Sequence, residues 1–390
     1  MSSPALTSGV QYIPISLEES ISMTGCRHAS HCLLYTSANS SRVVYGLIQL
    51  TDNGELGCPG GQVDVEDVTV DDIIDATNRE LEEEINYHLN GVTREDWICS
   101  HREDNPPYIQ HFFAKELTGD ELIQLERTHM NAQHFPSESL GLFRVPIGGS
   151  DKKFMTNFLR QRFAGNARQQ IIETIHKLSL VSPEDQVWME SIESTGDLLV
   201  NNSVVNSGIE VKALLRADLE VQYNDEKVDI TYGLMAVTDD GLFDFIGTHY
   251  TESDDKNSMI ETLITSLDKD LGADWLPIDC KSNAIHLSLD NDSSHVFSVH
   301  LNAKQFTQIE THFTECEGFG HKFYGIIRIP FPTRGSTHKP DSVNRFFRGA
   351  MSDMSAHRMA AQVVDPSVGW DAVGPVDDCL PKRQVFSEFQ

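Results

Sequence analysis

Apolar residues recur along this chain either in short alternating runs or in stripes three to four positions apart, the spacings of strands and of one-sided helices. Val10-Gln11-Tyr12-Ile13-Pro14-Ile15 predicts an added strand, Gly25 to Tyr35 a second, and Val43 to Leu50 a third that ends at an Asp52-Asn53-Gly54 hairpin turn. Leu56-Gly57-Cys58-Pro59-Gly60-Gly61 then leads through a loop into a helix whose apolar stripe is Ile74, Leu81, Ile85 and Leu89. Asp96 to His101 and Tyr108 to Lys115 predict strands joined at Asn105-Pro106-Pro107. Leu117-Thr118-Gly119 opens a helix with Thr118 as N-cap, Gly141 to Pro146 reads as a strand ending at the proline, and Asn157 to Leu178 as one long helix. Strands and helices alternating over about 180 residues predict a mixed α/β/α sandwich.

The second half repeats this pattern. Tyr45-Gly46-Leu47-Ile48-Gln49-Leu50-Thr51-Asp52-Asn53-Gly54 matches Tyr232-Gly233-Leu234-Met235-Ala236-Val237-Thr238-Asp239-Asp240-Gly241, and Gly141 to Pro146 matches Gly325 to Pro330. The helix after Leu117 has its counterpart near Leu301 to His312, and the one after Asn157 near Asn344 to Val364. The shared order and an offset of about 185 residues identify a tandem duplication. Its expected divisions are an extension over 1–23, a first domain over 24–180, a polar linker over 181–207, a second domain over 208–365 and a flexible tail over 366–390.

The stretch from Gly60 to Tyr87 concentrates the candidate chemistry. On a helix, Glu80, Glu83 and Glu84 share one side of a single turn. Such charges repel by about 1 kcal/mol per pair in water and about 4 kcal/mol at an effective dielectric near 20. Hard oxygen ligands clustered this way suit Mg²⁺ or Mn²⁺, although acid runs also occur as plain solvated faces. In the second half the Arg79 to Glu84 turn becomes Thr265-Ser266-Leu267-Asp268-Lys269-Asp270, and the diglycine becomes Gly247-Thr248. Only Asp270 keeps its carboxylate, Lys269 brings a positive charge where a cation would bind, and that half is expected to hold no catalytic metal.

A formal charge of −29 argues against broad grip on a nucleic-acid backbone, so any RNA contact is expected to be local. Seven cysteines without C-x-x-C spacing suit a reducing compartment and no structural zinc. No apolar run reaches membrane-spanning length and no signal sequence opens the chain, which predicts a soluble nuclear or cytoplasmic protein without a membrane partner.

The diglycine followed by Arg79-Glu80-Leu81-Glu82-Glu83-Glu84 resembles the Nudix signature, with Gly61 at its first glycine. The spacing from Gly61 to Arg79 is longer than the signature's, Asp67 is the nearest acid to its middle glutamate, and Asn86 replaces its final glycine. GCRHASHCLLY, LGCPGGQVD and LGLFRVPI with FLRQRFAGNARQQIIETI resemble, in that order, the snoRNA-decapping Nudix hydrolases that also act as inosine diphosphate phosphatases. The resemblance implies tandem Nudix α/β/α sandwich domains with a mixed sheet, the second degenerate, and hydrolysis of phosphoanhydride bonds. It makes Gly60, Glu80, Glu84 and His101 metal contacts, Glu83 and Glu84 with Arg79 the catalytic group, and His31 and Gln170 purine contacts. Cys58 and Thr51 stand at two further substrate positions, where relatives carry an aromatic and an arginine. The implied partner is a purine nucleotide or a capped RNA 5′ end, and the second domain is expected to pack on the first as an internal pseudo-dimer. The rival class is a catalytically weak or inactive Nudix-fold module that binds RNA or protein.

Overall fold

The computed structural model describes residues 12–37, 43–52, 54–104, 107–148, 152–194, 209–223, 226–250, 256–272, 285–288 and 294–331. The first half comprises β1 (Ile13–Ile15), α1 (Leu17–Ser22), β2 (Arg27–Ser37), β3 (Val44–Thr51), β4 (Leu56–Gly57), β5 (Gly60–Val63), α2 (Val70–Ile85), β6 (Trp97–Asp104), β7 (Pro107–Glu116), α3 (Gly119–Thr128), β8 (Ser139–Gly148), α4 (Lys152–Arg160), α5 (Ala167–Lys177) and α6 (Pro183–Ser191). The second comprises β9 (Ile209–Tyr223), β10 (Glu226–Thr238), β11 (Phe243–Asp244), β12 (Ile246–Tyr250), α7 (Lys256–Leu271), β13 (Ile285–Ser288), β14 (Ser294–His300), α8 (Ala303–His312) and β15 (Phe323–Phe331).

All these strands join one mixed sheet in the order β1-β6-β7-β2-β3-β8-β15-β10-β9-β14-β13, with the four short strands β4, β5, β11 and β12 paired off that path. The order reads outward from a β8 to β15 junction as two equivalent series. The register repeats too: Tyr45 lies opposite Pro146 and Leu47 opposite Arg144, as Tyr232 lies opposite Pro330 and Leu234 opposite Arg328. In each half one pair is parallel, β2 with β7 and β9 with β14.

Both faces of the sheet are covered, so neighbouring strand residues feed opposite cores. Leu33 and Ile48 pack with Phe154 and Phe158 of α4 and Ile171 and Ile175 of α5. Cys32, Leu34 and Leu47 pack instead with Ile73, Leu81 and Ile85 of α2 and Leu122 and Leu125 of α3. The first of these cores also contains Leu214, Met235, Val237, Phe243, Phe245, Ile327 and Ile329, so it belongs to both halves.

Several expectations change. The stripe on α2 is carried by Ile73, Leu81 and Ile85, while Ile74 is only partly buried and Leu89 is exposed beyond the helix end. Glu80 and Glu84 share that inward side and are buried. Asn86 does take the left-handed conformation of the signature's last glycine, at φ 60°. The strand at Gly141 does not end at Pro146 but continues to Gly148, because a register shift beside Tyr45 accommodates the ring. The single helix from Asn157 is two. Its middle turns aside where Leu56 N donates to Arg162 O and Ala164 N donates to Leu56 O, and Gly165 at φ +50° opens α5. Part of the expected linker is α6, whose Met189 is buried in the shared core. The Asn53 turn position, the helix near Asn344 and the tail lie outside the described residues.

β8 and β15 meet where Gly325 faces Phe143; a Cβ on Gly325 would stand 2.4 Å from the Phe143 Cβ. No side chain fits between these strands. Gly325→Ala is therefore expected to destabilise the whole chain by about 1 to 3 kcal/mol, read as a fall in Tm relative to Gly119→Ala at the start of α3, whose added Cβ meets nothing within 4 Å.

Candidate functional site

β2 organises the site. It pairs with β5 so that His31 faces Gly60, where a Cβ would sit 2.1 Å from Ser30 O and where φ is +145°. Only glycine fits there. Thr69 caps α2 in a reciprocal box with Asp72, and Thr77 Oγ1 lies 2.5 Å from Ser30 Oγ, fixing the helix against β2. One turn further on, Glu80 presses against Gly61, whose Cβ would stand 2.5 Å from the Glu80 carboxylate.

Glu84 Oε2 accepts from Gly60 N at 2.8 Å and from Gln49 Nε2 at 3.2 Å. Burial nevertheless pushes its carboxyl up to about 8, with the Glu80 and Glu138 charges adding to the rise. Glu80 is raised by burial against the opposing pull of Arg79. Arg79 donates to Glu83 Oε2 at 2.7 Å, to Glu80 Oε1 at 2.8 Å and to Gln62 O at 3.1 Å. Arg79 thus orients two carboxylates, and Glu83 is held by it, apart from the central cluster.

That cluster is completed by Glu138, which sequence reasoning missed. Glu138 arrives from the turn before β8, where Asp52 N donates to its carbonyl at 3.0 Å. Carboxylate oxygens of Glu80, Glu84 and Glu138 lie within 4.8 Å of one another. Three hard oxygen donors, two of them buried and raised by that burial, fit a divalent cation whose charge would offset the desolvation of Glu80 and Glu84. His101 is not among them. Its Nε2 contacts Glu173 Oε1 at 3.1 Å, and together with Cys99 these form a second group of metal-competent atoms. The diglycine contributes the Gly60 N–H to Glu84.

Above the acids lies a cavity of about 400 Å³ whose lining includes His31, Gln49, Thr51, Cys58, Tyr108 and Gln170 as well as Gly60, Glu84 and Glu138. His31 Nδ1, Gln49 Oε1 and Gln170 Nε2 are buried there without hydrogen-bond partners. The four substrate positions expected from sequence, His31, Thr51, Cys58 and Gln170, therefore meet in one cavity. Cys58 is buried and its thiol is pushed well up. Tyr108 brings an aromatic ring that no local pattern announced.

The equivalent cavity in the second half is about 310 Å³ and is lined by Lys212, Asp244, Gly247, Asp270 and Lys322 among others. Lys269 does not supply the positive charge there; it is exposed and pairs with Glu317 at 3.0 Å. The ammonium beside Asp270 comes from Lys322, 2.6 Å away. Lys322 precedes β15 as Glu138 precedes β8, and its carbonyl accepts from Asp239 N at 3.0 Å.

The fold and site define a Nudix hydrolase arrangement duplicated within one sheet. The chain belongs to the Nudt16-like family, described as U8 snoRNA-decapping enzyme-like, which matches residues 28–181 and 212–356. The U8 snoRNA-decapping enzyme of Bos taurus is 36% identical over 176 residues, covering 41% of this chain and 85% of that protein. The Tudor-interacting repair regulator protein of Gallus gallus is 29% identical over 182 residues, 44% of this chain and 55% of that protein. A solved mutT/nudix family protein from Listeria innocua aligns over 43% of this chain and 99% of its own, with 16% identity and a TM-score of 0.29. Among the described residues no helix is long and apolar enough to cross a membrane.

Beside the cavity, His28 Nδ1 meets His111 Nε2 at 3.0 Å in a stacked pair, and His111 Nδ1 meets Ser100 Oγ at 2.9 Å. Burial, helped by His28 and His31, pushes His111 down to about 3 from 6.5. Below pH 6.5 the unfolded chain binds a proton that the folded chain refuses until about pH 3. Stability is thus fully present above 6.5 and lost as pH falls through that window, at up to about 1.4 kcal/mol per pH unit. Tm measured from about pH 7 to pH 4 is expected to fall, and to fall less steeply in His111→Gln; parallel slopes would refute the assignment.

Proposed function

We propose that the first half is a metal-dependent hydrolase of phosphoanhydride bonds, acting on purine nucleoside diphosphates of the IDP and GDP type or on the 5′ cap of RNA. The observation that carries this reading is the juxtaposition of three carboxylates with a cavity whose polar atoms lack partners. Glu80, Glu84 and Glu138 would hold Mg²⁺ or Mn²⁺. The chemistry such an ion supplies is neutralisation of phosphate charge and acidification of water.

The protein's own groups do the rest. Arg79 keeps Glu80 and Glu83 in place, Gly60 N–H and the Gln49 amide aim Glu84, and one of the acidic helix residues, Glu83 or Glu84, accepts the proton of the attacking water. His31 Nδ1 and Gln170 Nε2 face the purine edge, where an amide and an imidazole match carbonyl and ring nitrogens. With Cys58 and Thr51 at their positions, stacking falls to Tyr108. The −29 charge suits a short substrate or an RNA end. We read the second half, with its shared core and matching register, as an internal pseudo-dimer partner, and 24–180 and 208–365 as the two duplicated units.

The test is hydrolysis of IDP, GDP and a short capped RNA by the full chain, with Mg²⁺ and with Mn²⁺. At least one is expected to turn over, and Glu84→Gln is expected to lower kcat by about a hundredfold or more at nearly unchanged Tm. A folded chain that hydrolyses none of them would overturn the enzyme and leave the binding module, the alternative that the 29% identity to a Tudor-interacting protein favours.

A further inference from the structure

Arg328 stands in the second half, yet its guanidinium lies over the ring of Phe135 in the first half, 4.6 Å from the centroid. Arg328 is itself immobilised. It is buried, and it donates from Nε and Nη2 to Glu310 Oε1 and Oε2 at 2.5 and 2.8 Å. Phe135 sits in the turn that carries Glu138. That turn is closed by Glu138 N donating to His134 O at 3.0 Å and docked on α2 by His134 N donating to Glu83 O at 2.8 Å. From below, His129 meets the Phe135 ring edge-on at 5.6 Å.

The opposite half is built the same way. Arg144 donates to Glu126 from Nε and Nη2 at 2.5 and 2.7 Å and lies 4.5 Å from the centroid of Phe319. Phe319 belongs to the turn that carries Lys322, closed by Lys322 N donating to Gly318 O at 2.8 Å. Each half therefore clamps the turn that delivers the other half's charged residue to its cavity.

We infer that Arg328 is a positioning residue for the first half's metal site: by holding Phe135 it fixes the turn that presents Glu138 to Glu80 and Glu84. This rests on the reading that those three carboxylates bind a divalent cation. The other two acids are fixed on α2, Glu80 by Arg79 and Glu84 by the Gly60 N–H; Glu138, with half of its side chain exposed, is held only from within its own turn, where its Oε2 lies 3.3 Å from His134 Nδ1. A buried cation over an aromatic face holds well, and groups that orient metal ligands typically govern affinity by about 10- to 100-fold. The second half, whose own cavity carries an ammonium, is thereby part of the first half's site.

The test is Mn²⁺ binding to the full chain, followed by the free-ion electron paramagnetic resonance signal. Phe135→Leu, which leaves the Arg328 to Glu310 pair intact, and Arg328→Met are each expected to weaken binding about tenfold. In a Glu138→Gln background, Phe135→Leu is expected to have no further effect, because the clamp acts only through that carboxylate. Should Arg328→Met fail to fold, Phe135→Leu carries the test alone. Binding that stays within about twofold of the parent in Phe135→Leu, or that weakens equally in both backgrounds, overturns the clamp while leaving the metal site standing. A parent chain that binds no Mn²⁺ overturns the metal reading itself, and the clamp with it.

Discussion

The site depends on keeping two carboxylates of one helix turn buried side by side. Glu80 and Glu84 are both nearly sealed from solvent, against the rise in free energy that desolvated like charges cause. The surroundings are arranged around that strain. Gly60 and Gly61 remove the side chains that would block approach, a backbone N–H and an amide aim at Glu84, and Arg79 balances Glu80 from the rim. What remains uncompensated is the need for positive charge among three acids. The two halves meet that need differently: the first by chemistry that a divalent cation would satisfy, the second by the Lys322 ammonium.

The fold and the helical part of the site were legible because they are written at short range. Glu80 and Glu84 lie one turn apart, so helix periodicity alone puts them together, and Thr118 and Asn86 announce helix ends by local chemistry. Duplication was legible because strand patterns and their turns recur in order. Glu138 was not, since nothing in its own neighbourhood marks it; it reaches the cluster through the pairing of β8 with β3. Lys269 misled for the same reason. Position along a helix fixes which side a residue faces, but the charge that meets Asp270 comes from the strand end at Lys322. The break in the helix after Asn157 depends on a bond to Leu56, again a partner distant in sequence.

Duplication has left the architecture nearly symmetric and the chemistry asymmetric. Register, capping boxes and the Arg to Glu forks persist in both halves, because each is needed for packing. The exchange of Glu138 for Lys322 and of Glu80 for Ser266 alters little of that packing. A spent site can drift while its scaffold stays under selection.

The core shared by the halves carries this further. Met235, Val237, Phe243, Phe245, Ile327 and Ile329 sit among the residues that seat α4 and α5. Neither half can be cut away without opening that core to water, so the chain is committed to melting as one cooperative unit. Gene duplication usually frees one copy to be lost; here interior wetting forbids it, and a half with a self-neutralised pocket is retained for the interior it closes.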